Sequence, residues 1–280
     1  MGLTLAYEVV DVFTGTAFAG NPLAVVLDAD DLGTEQLQAI AREFNLSETS
    51  FPLKAPEGAT YGLRIFTPAT ELPFAGHPSV GAAWVLHRLG RIDAGANVQA
   101  CGAGLLPVDV SADGATLTGG APSLGDRLDP APLLASVGLA VDDLAGPDPR
   151  SAGVGIDWTF LPVRRDALAR VRPDTAAIAA LGGTGLAVVH LDGTSVRARV
   201  FAAGAGVGED PATGSAALAL GVYLAEGLGA GEHALEVEQG VEMGRPSQLL
   251  VHVTVADGAA VRTTVTGRVV AVARGEITVP

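Results

Sequence analysis

The sequence has little cysteine, little positive charge and no long apolar run, and each shortage excludes a class of protein. The single cysteine, Cys101, rules out an internal disulfide and a cysteine-based zinc cluster. Lysine and arginine together number 17 against 31 acidic residues, so the net charge is −14, and no basic cluster offsets it. Such a chain repels nucleic acid phosphates. The longest apolar stretch, Ala216–Ala225, is about half of a membrane span. We therefore expect no nucleic acid partner and no membrane insertion.

The beginning of the chain has no recognisable targeting signal. Met1–Leu5 lacks the basic start of a secretory signal peptide, and the acidic residues Glu8 and Asp11 follow at once. We expect a cytoplasmic protein.

One short segment is present twice. Glu71–His77 is followed by the apolar run Val80–Leu86, and Glu209–Ser215, 138 residues later, is followed by Ala216–Leu224. A strand-like triplet precedes each copy, Arg64–Phe66 in the first and Arg199–Phe201 in the second. The offset is half of the 280-residue chain, which indicates two related halves. Backbone amides at the start of a buried helix can hold an anion, so two such turns predict one shared site in a cleft between the halves.

The remaining pattern is rich in strands and poor in helices. Apolar content of 48% indicates a globular protein. Helical spacing is predicted at Thr34–Phe44, at about Pro78–Leu89 and after Ser215. The expected strands are Leu5–Val12, Leu23–Leu27, Ser50–Leu53, Tyr61–Phe66, a hairpin over Val98–Val110 with Ala115–Leu117, Trp158–Val163, Gly185–His190, Val196–Phe201, one near Glu236, Leu249–Val255, Val261–Val265 and Val269–Val272.

Both repeat helices are apolar on every face, and a helix of that kind is enclosed by protein. The expected fold is therefore α+β: two pseudo-symmetric halves, each a strongly curved, mostly antiparallel sheet wrapped around a central buried helix. We assign residues 1–122 to the first half and 123–280 to the second, whose last strand is able to pack back on the first. The stretch Gly119–Pro149, rich in glycine, proline and aspartate, is predicted to be the connection between them.

Several ordered segments carry a family resemblance. They are Asp11–Phe13, Gly20–Val25, Leu46–Phe51, Arg64–Pro68, Glu71–Pro78 and Glu209–Ala216. With this spacing over essentially the whole length, the chain resembles the phenazine-biosynthesis PhzF-like isomerases, which share the fold of diaminopimelate epimerase. The resemblance implies that fold, no cofactor and a homodimer.

Three residues are expected to carry the chemistry: Glu48, His77 and Asp210. Glu48 lies among apolar neighbours, which raise a carboxylate's pKa toward the range of a group that takes and returns a proton. The spacing alone predicts that Glu48 is an exposed glutamate at the end of a strand. The resemblance makes it the proton-shuttling glutamate, 29 residues before the histidine His77. His77 begins the first buried helix, where the helix dipole favours a neutral imidazole. Without the family it would be a capping or core histidine.

The second turn is expected to bind and orient the substrate. Asp210 before Pro211 has the pattern of a helix N-cap followed by proline at the first helical position. By resemblance its carboxylate also orients the substrate or His77. Gly76, Gly214 and Ser215 are expected to supply amide and hydroxyl donors to a substrate carboxylate.

Three other features are set aside. Cys101 resembles the cysteine turn of cofactor-independent epimerases, but neither repeat turn carries the second thiol that this mechanism needs. Gly204–Gly208 lacks the spacing of a dinucleotide fingerprint. The remaining histidines have no metal-ligand spacing, so no metal is expected: His87, His190, His233 and His252.

The resemblance implies an isomerase in which Glu48 is the general acid/base. It would move a proton within a small unsaturated or cyclic carboxylate such as a dihydro-hydroxyanthranilate. Two alternatives stay open: a cofactor-independent racemase or epimerase of an amino-acid-like substrate, and a catalytically silent interaction protein that retains the fold.

Overall fold

The computed structural model describes residues 3 to 279. The first two residues of the chain, on which the expectation about a signal peptide partly rests, lie outside this range. The chain divides into two compact units. The first contains the residues up to Thr118 and those from Thr266 onward, and the second contains Gly119–Val265.

The strands and helices are numbered along the chain. The strands are β1 Leu3–Val12, β2 Asn21–Val26, β3 Glu48–Leu53, β4 Tyr61–Phe66, β5 Glu71–Leu72, β6 Gly95–Cys101, β7 Gly104–Val110, β8 Gly114–Thr118, β9 Ser123–Arg127, β10 Arg150–Gly153, β11 Asp157–Pro162, β12 Leu186–Asp192, β13 Ser195–Phe201, β14 Glu209–Asp210, β15 Gly231–Gln239, β16 Ser247–Ala256 and β17 Ala259–Val279. The α-helices are α1 Thr34–Phe44, α2 Gly76–Arg88, α3 Pro130–Ser136, α4 Arg165–Leu168, α5 Thr175–Ala180 and α6 Gly214–Leu224. Short 3₁₀ turns cover Val141–Asp143, Ala203–Ala205, Ala225–Gly227 and Val241–Met243.

The first unit is a mostly antiparallel sheet with two parallel crossovers. β1 pairs antiparallel with β2, and α1 connects β2 to the parallel strand β3. β3 and β5 both pair antiparallel with β4. After α2 the chain returns as β6, parallel to β4, and continues into the antiparallel strands β7 and β8. The end of β17 pairs antiparallel with β1.

The second unit repeats this topology element by element. β10 pairs antiparallel with β11, and a helical crossover leads to the parallel strand β12. β12 and β14 flank β13 antiparallel. After α6, β15 runs parallel to β13 and pairs with the antiparallel strand β16. β9 pairs with β10 as the end of β17 pairs with β1. The predicted pair of related halves is confirmed.

A buried helix stands at the centre of each unit. Every residue of α2 from Gly76 to Leu86 is buried, and the strands β1, β2, β3, β7 and β8 pack on it. Every residue of α6 from Gly214 to Tyr223 is buried against β9, β10, β11 and β16. The α2 helix approaches the sheet so closely that a β-carbon at Gly81 would lie 2.5 Å from Leu23 Cδ2. The predicted α+β fold, a curved sheet around an enclosed helix in each half, is confirmed.

The outer face of each sheet is also covered. In the first unit, Leu37 and Ile40 of α1 pack with Phe51 and Phe66. In the second, α3, α4 and α5 cover β11, β12 and β13. Strands buried on both faces explain the continuous apolar runs that the sequence shows.

The prediction that Gly119–Pro149 is a connection between the two halves was wrong. This stretch folds into the second unit as β9, α3 and a 3₁₀ turn, and its Leu133, Leu134 and Val137 belong to the core of that unit. Glycine and proline here mark tight turns between short elements. Relative to the predicted halves, the division falls after Thr118 rather than at residue 122, and residues from Thr266 onward join the first unit.

Candidate active site

The start of α2 is a set of backbone donors in a buried setting. Ala75, in an extended conformation, precedes the helix and has no side chain that could cap it. Gly76 and His77 are the first helical residues, and both are buried. Amides in the first turn of a helix have no acceptor within the helix, and they lie at its positive end. The helix starts two residues earlier than the pattern predicted, since Pro78 occupies its third position.

Glu48 lies beside His77. Glu48 is the first residue of β3, which packs against α2. Its Oε2 is 3.5 Å from Nε2 of His77, and the two side chains are 13% and 5% exposed. This distance is longer than a normal hydrogen bond. The first unit thus brings together three predicted site residues, Glu48, Gly76 and His77.

The imidazole of His77 is uncharged at neutral pH. Burial lowers its pKa from 6.5 to about 3. A carboxylate at the distance of Glu48 favours imidazolium, so burial is the larger effect. The direction of this pKa shift agrees with the predicted neutral imidazole, although its cause is burial rather than the helix dipole. A neutral histidine beside a carboxylate is able to hold or orient a proton without forming a permanent ion pair.

Asn21 holds the other side of the imidazole. Its Nδ2 is 3.2 Å from Nδ1 of His77, and its Oδ1 accepts a hydrogen bond of 3.2 Å from the hydroxyl of Ser47. Asn21 is fully buried at the start of β2. Sequence reasoning missed this role, because Asn21 was only one member of the Gly20–Val25 segment that marks the family.

The turn before α6 is built differently. Asp210 lies in β14, and its Oδ2 accepts a 2.6 Å hydrogen bond from the hydroxyl of Thr213. Gln239 secures the turn: its Nε2 donates to the Asp210 carbonyl at 2.7 Å and to Thr213 Oγ1 at 3.0 Å, and its Oε1 accepts from the Thr213 amide at 3.2 Å. The prediction of Asp210 as the N-cap was wrong. The cap is Thr213, and Pro211 lies outside the helix.

Ser215 is held by a tryptophan. The indole N–H of Trp158 donates to Ser215 Oγ at 3.1 Å. Because an indole nitrogen only donates, the Ser215 hydroxyl hydrogen can be given to a further acceptor. Asp210, Gly214 and Ser215 are all buried at this turn of the second unit. That they share one substrate with Glu48 and His77 stays a prediction.

The features set aside in the sequence have ordinary structural roles. His87, His190 and His233 each contact a backbone carbonyl, at 3.3, 3.1 and 2.6 Å. Cys101 ends β6 and is half-buried. Within residues 3 to 279 no group of three histidine, cysteine or acidic side chains is placed to hold a metal ion. None of the helices described in that range is long and apolar enough to cross a membrane.

Comparison with known proteins agrees with the expected class of protein, an isomerase. Residues 10–275 match the family model described as "Phenazine biosynthesis-like protein". An uncharacterised isomerase of Mesorhizobium japonicum is 36% identical, over 98% of this chain and 99% of its own. The trans-2,3-dihydro-3-hydroxyanthranilate isomerase of Pseudomonas fluorescens is 35% identical, over 97% of this chain and 98% of its own.

A solved structure shows the same fold. The crystal structure of the Bacillus anthracis phenazine biosynthesis protein, PhzF family, superposes with a TM-score of 0.90 at 29% identity, covering 99% of this chain and 100% of that one. The chain belongs to the phenazine biosynthesis-like protein family. Its enzyme class is isomerase.

Proposed function

We propose that the protein shifts a double bond within a small unsaturated or cyclic carboxylate, with Glu48 as the general acid/base. Glu48 takes a proton from an activated carbon, which breaks one C–H bond, and returns it to another carbon of the same molecule, which forms one. No electrons leave the substrate, so the step balances without an oxidant, a reductant or a cofactor. The Pseudomonas fluorescens relative is named for trans-2,3-dihydro-3-hydroxyanthranilate, and the substrate proposed here belongs to that chemical class.

The single observation that carries the proposal is the close pair of Glu48, which is largely shielded from solvent, and the buried His77 at the start of α2. Glu48 Oε2 and His77 Nε2 are 3.5 Å apart, and the imidazole is uncharged. A carboxylate beside a neutral imidazole is able to gain and lose a proton during turnover. The low solvent exposure of the two side chains excludes most bulk water, which helps Glu48 to return the same proton to the substrate.

The substrate carboxylate is proposed to bind at the helix starts. Gly76 offers a backbone amide at α2, and Gly214 offers one at α6, where the Ser215 hydroxyl adds a further donor. Asp210, held by Thr213, is proposed to orient a polar group of the substrate. This assignment uses both turns of the repeat for binding and leaves the proton transfer to Glu48.

The remaining parts of the proposal concern the assembly and its setting. We propose a homodimer that acts in the cytoplasm on a small molecule, with no nucleic acid or membrane partner. Light scattering coupled to size-exclusion chromatography measures the mass directly, and a monomer across the working concentration range would contradict the dimer.

The first experiment tests the reaction. Purified protein is incubated in deuterated water with trans-2,3-dihydro-3-hydroxyanthranilate, and the product is examined by NMR and mass spectrometry. A product with a shifted double bond supports the isomerase. Racemisation of an amino-acid-like substrate with deuterium entry at its α-carbon would instead support an epimerase. Failure to turn over any candidate acid would favour a catalytically silent protein.

The second experiment tests Glu48. Glu48→Gln preserves the shape of the side chain and removes its titrating group. We therefore expect kcat to fall by about 10²–10⁴-fold, the usual range for a lost general acid/base. Glu71→Gln is the matched control, because Glu71 is a half-exposed glutamate paired with Arg64, and it should keep kcat. Retained activity in Glu48→Gln would refute the assigned mechanism.

A further inference from the structure

A short hydrogen-bonded chain, the partly buried Ser47 and the buried Asn21, leads to His77 from the side opposite Glu48. The Ser47 hydroxyl is 3.2 Å from Asn21 Oδ1, and Asn21 Nδ2 is 3.2 Å from His77 Nδ1. Asn21 and His77 are 0% and 4% exposed. At this depth the orientation of the amide decides which imidazole nitrogen carries the single proton of the neutral ring.

Only one of the two orientations places a donor toward Glu48. With Nδ2 of Asn21 donating to Nδ1, the imidazole proton lies on Nε2 and is directed at Glu48 Oε2, 3.5 Å away. In the reversed orientation Nδ1 would carry the proton, and the lone pair of Nε2 would face the negatively charged carboxylate. Two facing lone pairs in a poorly solvated site repel each other. The electrostatics therefore select the first orientation.

We propose that Asn21 is a positioning residue that holds His77 in the Nε2–H tautomer facing Glu48. The tautomer itself is independent of the reaction. Its catalytic consequence rests on the function proposed above.

The consequence concerns where the transferred proton can go. In this tautomer both imidazole nitrogens are engaged: Nδ1 accepts from Asn21, and Nε2 carries a hydrogen. His77 then has no lone pair directed at Glu48 and cannot take over a proton that Glu48 has removed from the substrate. The proton stays on Glu48 until it returns to another carbon. Asn21 thereby makes the site a one-base shuttle, and the Nε2–H group stabilises the carboxylate that begins each cycle.

The direct test is the tautomer of His77 in solution. Protein labelled with ¹⁵N in histidine distinguishes a nitrogen that carries hydrogen from one that does not, and His77→Gln identifies the His77 signals among the five histidines. At neutral pH the wild-type protein is expected to show hydrogen on Nε2 and none on Nδ1. Hydrogen on Nδ1 would overturn the proposal, whatever the activity of Glu48→Gln.

A variant tests the cause. In Asn21→Asp the carboxylate accepts but cannot donate, so hydrogen is expected to move to Nδ1, and kcat is expected to fall at least tenfold. Asn97→Asp is the matched control, because Asn97 is also a buried asparagine of the first unit whose Nδ2 donates, here to the carbonyls of Asp93 and Gly95. It should leave the His77 signals unchanged.

The outcomes separate this proposal from the proposed function. If Nδ1 of His77 still carries no hydrogen in Asn21→Asp, Asn21 does not set the tautomer and the proposal fails. If the signature moves to Nδ1 while Glu48→Gln is active, the positioning role stands and the catalytic assignment falls. The wild-type spectrum decides the tautomer, and His77→Gln is needed only to assign the His77 signals.

Discussion

The imidazole of His77 shows two opposed effects at a single residue. Burial removes the solvation that an imidazolium needs, whereas the carboxylate of Glu48, 3.5 Å away, attracts a positive charge. The pKa of His77 is lowered to about 3, so desolvation is the stronger effect. The folded protein therefore binds no proton here under conditions in which the unfolded chain does.

This difference predicts a loss of stability in acid. In the unfolded chain the histidine titrates near 6.5, and in the folded protein near 3, so this stabilisation is complete above pH 6.5 and is lost as the pH falls toward 3. Between pH 7 and pH 5 the free energy of unfolding is expected to drop about 2 kcal/mol more in the wild type than in His77→Gln. Urea denaturation at the two pH values measures the drop. Equal losses would show that His77 binds its proton in the folded state.

At the scale of elements, the same arginine–glutamate ion pair occurs in both copies of the repeat, although the repeated segment itself contains only the glutamate. Arg64 Nε and Nη2 bind Glu71 at 2.7 and 2.6 Å, and Arg199 binds Glu209 in the same way at 2.8 and 2.7 Å. Each guanidinium also lies over a phenylalanine ring of its own strand, Phe66 or Phe201. Each pair joins a short strand, β5 or β14, to its neighbour, so the first glutamate of each copy has a structural role.

The two ion pairs differ in burial, which predicts different costs. The side chains of Arg64 and Glu71 are 28% and 37% exposed, whereas those of Arg199 and Glu209 are 8% and 16% exposed. Glu71→Gln is expected to lower the free energy of unfolding by about 1 kcal/mol or less. Glu209→Gln leaves a buried guanidinium without the carboxylate that balances its charge and is expected to cost about 3 kcal/mol. Urea denaturation of both variants tests this, and similar costs would contradict it.

The two copies of the repeat differ in the side chains at equivalent positions. Strand register places Leu72 and Asp210 at equivalent positions, since Leu72 pairs with Ile65 and Asp210 with Val200. His77 in the first copy corresponds to Ser215 in the second. The supports differ accordingly: His77 is held by Asn21, and Ser215 by Trp158. The shared geometry supplies two helix starts, and the divergent side chains give one of them a histidine and the other an acid and a hydroxyl.

At the scale of the whole molecule, each unit has its own buried core and its own tryptophan. Trp84 is in the first unit and bonds the Ala112 carbonyl, and Trp158 is in the second. The first unit depends on the far end of the chain, because β17 pairs with β1 from Leu3 to Val12. The second unit is a single continuous segment, Gly119–Val265.

Removing residues 266–280 is therefore expected to unfold the first unit and spare the second. Without the end of β17, β1 loses one of its two neighbouring strands and exposes an unpaired edge. The truncation is made in Trp158→Phe and, separately, in Trp84→Phe, so that fluorescence reports one unit at a time. Trp84 emission should shift to that of an exposed indole, while Trp158 emission stays native-like. A native-like Trp84 in the truncated chain would contradict the prediction.

The sequence alone determined the features that depend on local pattern. The repeat and its apolar runs predicted two related halves with an enclosed helix in each, and the structure shows both helices buried over their first ten residues. Glu48 and His77 were also predicted from the sequence, because the ordered segments of the family surround them. Local composition was misleading for Gly119–Pro149, where short elements rich in turn residues still contribute leucines to a core.

Only the tertiary structure decided what supports the site. Ser47 and His77 lie 26 and 56 residues from Asn21 along the chain, and Gln239 lies 26 residues from Thr213. Such partners are set by strand register and by the packing of a helix on the sheet, and no local periodicity encodes either. For the same reason the sequence allowed the last strand to pack back on the first half but did not identify β1 as its partner. The sequence identified the groups proposed to carry the chemistry, and the packing determined the hydrogen bonds that orient them.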